Sequence, residues 1–191
     1  YFHTIIWWIK NLLMKTEQAS PLSSPLSSPL CGRRVLVAVS GSIAAVKTPL
    51  LVSALIKAGA EVRCLVTASG AALVSPVALA SLSRHRCYLE ADQWDPAASR
   101  PLHIELAEWA ELIIVAPLSA SSLARWSQGS ADGLLASVLL ATEVPVIAAP
   151  AMNTAMWRHP AVQGNWQQIQ SFPGVIPLVP ASGLLACDRV G

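Results

Sequence analysis

A chain of 191 residues with 53% hydrophobic and 13% charged side chains reads as one domain with a sizeable core. It is either a parallel sheet covered on both faces or a fold with further surface buried between subunits. A net charge of +2 over 13 scattered Lys and Arg leaves no basic stripe, which speaks against a nucleic-acid partner, and no uninterrupted apolar run reaches the ~20 residues of a membrane span. The four cysteines, Cys31, Cys64, Cys87 and Cys187, have neither CxxC nor zinc spacing, so the reading is a reducing cytoplasmic compartment and no metal.

Residues 1–13 lack the basic start and small-residue cleavage site of a signal peptide. They read as a translation artefact before Met14, the alternative being an amphipathic anchor. The Ser20-Pro-Leu-Ser-Ser-Pro-Leu-Ser-Ser-Pro-Leu30 repeat has no period suited to a core, so residues 1–32 are expected to be a disordered leader. The ordered domain is expected over 33–191. Residues 34–40 (RVLVAVS) are an apolar, β-branched run typical of a central parallel strand. A helix is predicted over 44–58, with Pro49 early in it or kinking it. A second strand follows over 61–67, and a helix over 75–83 with Ser75 as cap and Pro76 first. A short strand over 86–90, a polar loop over 92–100 and a short helix over 103–109 come next. Residues 112–116 form a strong strand, 119–128 and 132–141 two helices around Gly129, and 144–149 another strong strand. Helical pieces run to 170 and a last strand covers 175–179. This alternation predicts βαβ crossovers and a doubly wound parallel α/β sheet.

The loop Pro150-Ala-Met-Asn-Thr-Ala-Met-Trp157 follows the 144–149 strand. Turns usually carry Gly, Asp and Ser; here one amide, Asn153, stands among Met, Pro and Trp. A hydrogen bond made away from water discriminates strongly, and open α/β sheets bind ligands at the carboxyl ends of their strands. Val39-Ser-Gly-Ser-Ile-Ala44 ends a strand in Gly-Ser and enters a helix, which reads as an anion site or as an ordinary βα turn with a serine cap. It is not a GxGxxG fingerprint. The second strand ends in Thr67-Ala-Ser69 with no acid to hold a dinucleotide ribose, which favours a mononucleotide such as a flavin over NAD. Ser119, Ser121 and Ser122 after the 112–116 strand are a second hydroxyl-rich turn, a further wall of a phosphate cradle or redundant capping. His103 opens its helix as a candidate base, against the plainer reading of a surface or core histidine. His159 suggests a cap. Cys187, beside Asp188 and Arg189, is a candidate proton donor or a buried inert thiol. Trp109, Trp126, Trp157 and Trp166 read as core or interface.

Gly-Ser-Ile-Ala at 41–44, His-Ile-Glu-Leu at 103–106, Ala-Pro-Leu-Ser-Ala at 116–120, Pro-Ala-Met-Asn-x-x-Met-Trp at 150–157 and Leu-Ala-Cys at 185–187, in this order, resemble the flavin-dependent cysteine decarboxylase family over residues 33–191. The resemblance implies a Rossmann/flavodoxin-like three-layer flavoprotein domain. It implies that FMN is held by Gly41, Ser42, Ile43, Thr67 and Ser69, with Ser119, Ala120, Ser121, Ser122 and Ala151. It makes His103 the base, Asn153 the ligand of the substrate carboxylate, and Met156, Leu184, Leu185 and Ala186 the substrate lining, in a flap that carries Cys187. The implied reaction is decarboxylation of 4′-phosphopantothenoylcysteine to 4′-phosphopantetheine in coenzyme A biosynthesis. The cysteinyl thiol is oxidised to a thioaldehyde, carbon dioxide leaves, hydride returns from the reduced flavin, and Cys187 gives a proton. Alternatives are a peptidyl-cysteine decarboxylase of the lantibiotic type and a non-catalytic flavin-binding regulatory subunit; a flavin prenyltransferase is not expected to pair His103 with the Asn153 loop. The resemblance also implies a homotrimer or an assembly of trimers with sites between subunits, and in bacteria a fused C-terminal phosphopantothenate-cysteine ligase domain. Ser121-Ser122 replace the family's Asn-Thr, Asp188 replaces its Gly, and the chain stops at Gly191 before the family's closing helix.

Overall fold

The computed structural model describes residues 30–179. Six strands, β1 (Arg34–Val39), β2 (Glu61–Val66), β3 (Cys87–Leu89), β4 (Leu112–Leu118), β5 (Val146–Pro150) and β6 (Val175–Pro177), form one sheet. Its order is β3-β2-β1-β4-β5-β6 and every pairing is parallel. The helices are α1 (Thr48–Lys57), α2 (Ala68–Ala71), α3 (Pro76–Ser83), α4 (Leu102–Trp109), α5 (Ala120–Ser127), α6 (Leu134–Ala141), α7 (Thr154–Arg158) and α8 (Pro160–Gln170). This is the expected doubly wound α/β fold.

Side chains alternate across a strand, so β1 feeds two cores. Val35, Val37 and Val39 pack on one face with Leu51, Val52 and Leu55 of α1 and Leu79 of α3. Leu36 and Ala38 pack on the other with Leu106 of α4, Trp126 of α5, Val138 of α6 and Ile169 of α8. The chain first winds from β1 to β3 with helices on the first face. It then crosses back and winds from β4 to β6 with helices on the second. A single hand of crossover requires this change of face when the direction along the sheet reverses. Leu36 and Leu106 are fully buried; each such side chain contributes about 1.5–3 kcal/mol by leaving water.

Several boundaries differ from those expected, each for a local reason. The helix expected from 44 begins as a 3-10 turn, Ile43–Lys47, and becomes α-helical only at Thr48. Pro49 has no N–H to donate to the carbonyl four residues back, so the α-helical ladder starts around it. The first residues of the loop expected over 92–100 belong to a 3-10 turn, Glu90–Trp94, held by Asp92 Oδ2 accepting from the Leu89 N–H at 2.8 Å. The helix expected from 132 starts at Leu134, whose N–H donates to Glu90 Oε2 at 2.6 Å. The short helix α2 was not expected; Thr67 caps it by accepting from the Gly70 N–H at 3.1 Å. Leu30 is buried in the first core, and the Gly32 N–H donates to Gly59 O at 2.9 Å. The packed domain therefore includes residues 30–32, which the composition of the segment assigned to the leader. Ser75, Pro76 and the His159 cap stand as expected.

Among the described residues no helix is long and apolar enough to cross a membrane. Cys64 and Cys87 face each other across β2 and β3. Burial pushes their thiols up to about 12 and about 11, so neither offers a thiolate for chemistry near neutral pH.

At the amino edge of the sheet, Glu111 ties β1 to β4. Its carboxylate accepts from the Arg34 N–H at 2.9 Å and lies 3.4 Å from the Arg33 guanidinium. The backbone hydrogen bond, then the two arginine charges, hold its pKa below the usual carboxylate range. A depressed carboxyl stabilises the fold above its unfolded value, and that contribution disappears as pH falls through its folded value. Glu111→Gln should therefore lower the thermal midpoint slightly at pH 7, and the gap to wild type should narrow as the pH falls into the acid range. A gap that does not change with pH would show that the charge plays no part.

Candidate functional site

Four loops meet at the carboxyl edge of the sheet. Residues 67–70 follow β2, 40–43 follow β1, 119–122 follow β4 and 151–153 follow β5. These strands are consecutive neighbours in the order β2-β1-β4-β5. Adjacent strands lie about 4.8 Å apart, so the loops form one continuous shelf, at the point where the winding reverses and open sheets bind ligands.

The shelf is tied together from below. A Cβ on Gly41 would land on Ser69 Cβ, so the first loop lies directly against the second. A Cβ on Gly70 would come within 2.7 Å of Val39 O. Ser40 is fully buried; its hydroxyl donates to Pro117 O at 2.7 Å and accepts from the Ser119 N–H at 2.7 Å. One residue deeper, the Thr48 hydroxyl donates to Ala116 O at 3.2 Å. The Ala151 N–H donates to Leu118 O at 3.0 Å, which joins the fourth loop to the third.

The shelf carries hydroxyls and no charge. Residues 40–43, 67–70, 116–122 and 150–153 include no Asp, Glu, Lys, Arg or His. Ser42 caps the 3-10 turn, its oxygen accepting from the Ala44 N–H at 3.4 Å. Ser119 caps α5 by accepting from the Ser122 N–H at 3.3 Å, and the two hydroxyls lie 3.3 Å apart. Ser119 and Ser122 are buried, whereas Ser69 and Ser121 are exposed. Neutral N–H and O–H donors at two helix starts suit a phosphate.

Asn153 caps α7, with Oδ1 accepting from the Ala155 N–H at 2.8 Å. With Oδ1 committed to the helix, a carboxylate would be met by the Nδ2 donor. The frame around it is apolar: Met152 packs on the second core, and the Trp157 ring meets Trp166 edge-on with centroids 5.5 Å apart. Met156 is exposed. His103 stands in the first turn of α4, half-buried. Since α4 runs down to the start of β4, its first turn lies at the carboxyl edge. No hydrogen bond among the described residues joins His103 to the four loops. Its Nδ1 and the Thr154 hydroxyl are the two buried side-chain polar atoms without a partner among the described residues. Buried polar atoms are normally satisfied, and both exceptions fall at this edge.

A family profile described as Flavoprotein matches residues 23–191. The chain belongs to the Flavoprotein family. It is 42% identical over 163 residues to the coenzyme A biosynthesis bifunctional protein CoaBC of Bacillus subtilis (strain 168), covering 85% of this chain and 39% of that protein. It is 40% identical to the protein of that name in Escherichia coli (strain K12), with the same coverage. The chain thus spans about two-fifths of the length of these curated relatives. Among solved structures, a PPC decarboxylase mutant complexed with pantothenoylaminoethenethiol superposes with a TM-score of 0.73 at 32% identity, covering 84% of this chain and 88% of that one. The FMN binding protein AtHal3 gives 0.73 at 34% identity, covering 83% and 86%.

The shelf suits the cofactor class of the Flavoprotein family: a neutral, hydroxyl-rich edge for a phosphate, no dinucleotide fingerprint, and unpartnered polar atoms beside it. The fold brings Gly41, Ser42, Ile43, Thr67, Ser69, Ser119, Ala120, Ser121, Ser122, Ala151 and Asn153 onto this one edge. Leu184, Leu185, Ala186 and Cys187 lie outside the described residues. Ser40, Thr48 and Glu90 were missed as supports of the site. Ser40 and Thr48 lie in or beside a motif already singled out, but their partners stand about 70 residues on. Glu90 fastens α6 behind Ser122, and nothing local marks it.

Gly41→Ala forces Ser69 aside. Overpacking of this kind costs about 1–3 kcal/mol, so flavin affinity should fall about tenfold or more. Fluorescence titration of the apoprotein with flavin, beside far-UV circular dichroism to confirm the fold, measures it. Wild-type affinity would mean that the first two loops do not hold the cofactor.

Proposed function

We propose that this chain binds FMN and decarboxylates 4′-phosphopantothenoylcysteine to 4′-phosphopantetheine. The observation that carries the reading is the placement of the Asn153 cap on the same edge as the neutral serine shelf. A group that can hold a carboxylate then stands beside a cradle that can hold a flavin phosphate. The names of the structural relatives, a PPC decarboxylase and an FMN binding protein, support it. Denaturation should release FMN, with neither FAD nor NAD in the supernatant.

A bound flavin supplies reversible two-electron chemistry that protein side chains lack. The chain supplies the rest. The turns at Gly41–Ile43 and Ser119–Ser122, with Thr67, Ser69 and Ala151, bind and orient the cofactor. Asn153 Nδ2 donates to the substrate carboxylate and fixes the bond that will break. His103, with one ring nitrogen unpartnered among the described residues, takes a proton from the bound substrate. Met156 and residues 184–186 line the substrate, and Cys187 returns a proton. The Trp157–Trp166 pair and the exclusion of charge keep the reacting carboxylate in an apolar setting, where its loss as neutral carbon dioxide is favoured.

Asn153→Asp separates these roles. A carboxylate remains a good helix cap, so the loop should keep its shape and flavin affinity should stay within about twofold. The donor is gone and a like charge faces the substrate, so kcat/KM should fall about a hundredfold or more. His103→Asn should likewise retain flavin and lose turnover. Steady-state kinetics with 4′-phosphopantothenoylcysteine, run beside a peptide ending in cysteine, test both the roles and the substrate. Wild-type turnover in either variant, or preference for the peptide, would refute the assignment.

The site is proposed to be completed by association into a trimer or an assembly of trimers. Ile43, Val46 and Leu50, spaced three and four residues apart, are 54%, 53% and 62% exposed beside the first loop. Apolar residues aligned on one face in this way suit an interface. Val46→Asp with Leu50→Asp should convert the assembly to monomer in light scattering and lower the activity. An unchanged mass would place the contact elsewhere.

A further inference from the structure

Ser40 is buried and cannot itself touch a ligand, yet it is bonded on both sides of the shelf. Regular pairing between β1 and β4 ends at Ala38 and Val115. Past that point Pro117 has no N–H to give, and the strands are held by other groups. The Ser40 N–H donates to Pro117 O at 3.2 Å, and the Ser40 hydroxyl donates to that same oxygen at 2.7 Å. The hydroxyl also accepts from the Ser119 N–H at 2.7 Å. The first contact has the usual length for O–H···O, and the second lies at the short end for N–H···O. The residue after Ser40 is Gly41, the start of the first turn; Ser119 is the cap of the second. One hydroxyl thus sets the separation of the two turns, one residue before the first and bonded directly to the cap of the second.

We propose that Ser40 is a positioning residue that locks the 41–43 turn to the 119–122 turn, so that one flavin nucleotide engages both at once. The proposal rests on the reading that these two turns hold the flavin. Without the hydroxyl, Pro117 O still has the Ser40 N–H, but the buried Ser119 N–H loses its acceptor. The second turn must then shift to find another. A ligand that spans both turns through its phosphate and its ring system should suffer more than one lacking the phosphate. Thr48 provides the comparison: its hydroxyl bonds Ala116 O across the same seam but adjoins neither turn.

The test is titration of the full-chain apoprotein with FMN and with riboflavin, giving the ratio of the two dissociation constants. In Ser40→Ala the preference for FMN should fall by about tenfold, the scale of one lost buried hydrogen bond. In Thr48→Val the thermal midpoint should fall but the preference should stay that of wild type. A general loss of stability would weaken both ligands together and leave the ratio unmoved; that result in Ser40→Ala overturns the proposal. Ser42→Ala and Ser119→Ala report on the underlying reading. If both bind FMN as wild type does, the turns are not the cradle and that reading fails. If they weaken FMN while Ser40→Ala keeps the wild-type ratio, the reading stands and the role of Ser40 fails. Should Ser40→Ala not fold, Ser40→Cys, which keeps the volume and weakens both hydrogen bonds, is judged by the same ratio.

Discussion

The carboxyl edge of this protein hangs on the seam between β1 and β4. It is the point where the chain, having wound one way through three strands, starts again and winds the other way. The backbone ladder stops short of the edge because Pro117 cannot donate. Side-chain hydroxyls from Ser40 and Thr48 continue it for the last two residues. A seam closed by backbone alone would fix only strand register. One closed by Ser40 also fixes where the next loop and the next helix begin, because its partners are the carbonyl of Pro117 and the N–H of the α5 cap.

The consequence is a site built without charge. Four loops meet, and none contributes an ionised side chain. Anion recognition then falls to N–H groups at helix starts and to serine hydroxyls, whose dipoles are fixed by the backbone. Such a surface can take a phosphate without presenting a cation to any second anionic group nearby. The two thiols of the sheet stay protonated. Burial holds Cys64 and Cys87 protonated far above neutral pH. They pack as small apolar groups between β2, β3 and α3.

The Asn153 corner is held from behind by its aromatic neighbours and by α8. Gln163 Nε2 donates to Trp157 O at 2.6 Å, closing the end of α7, while His159 Nδ1 accepts from the Ala161 N–H at 3.2 Å, opening α8. The tryptophans read as core or interface are core at Trp126 and Trp166. Trp109 instead lies under the Arg63 guanidinium, 4.3 Å from its centroid. An amide set in a rigid apolar corner loses little entropy on meeting a ligand, which is where the specificity of such a group comes from.

Much of this was legible in the chain itself. The apolar runs at 34–40, 112–116 and 144–149 announce buried parallel strands, because a strand covered on both faces needs no polar alternation. The serine-rich turns, the Asn153 loop and His103 stand out because their residue types do not suit the bland role at those positions. The sequence by itself therefore determined the fold class, the main strands and the loops that end up at the carboxyl edge. Only the tertiary structure decided that β1 lies between β2 and β4, which sets 41–43 against 67–69 on one side and 119–122 on the other. It also decided that Ser40, Thr48 and Glu90 reach partners tens of residues away. The physical reason is range: propensity, capping and hydrophobic period act over a few residues, whereas strand order and buried hydroxyl bridges depend on how distant segments pack, which no local pattern encodes.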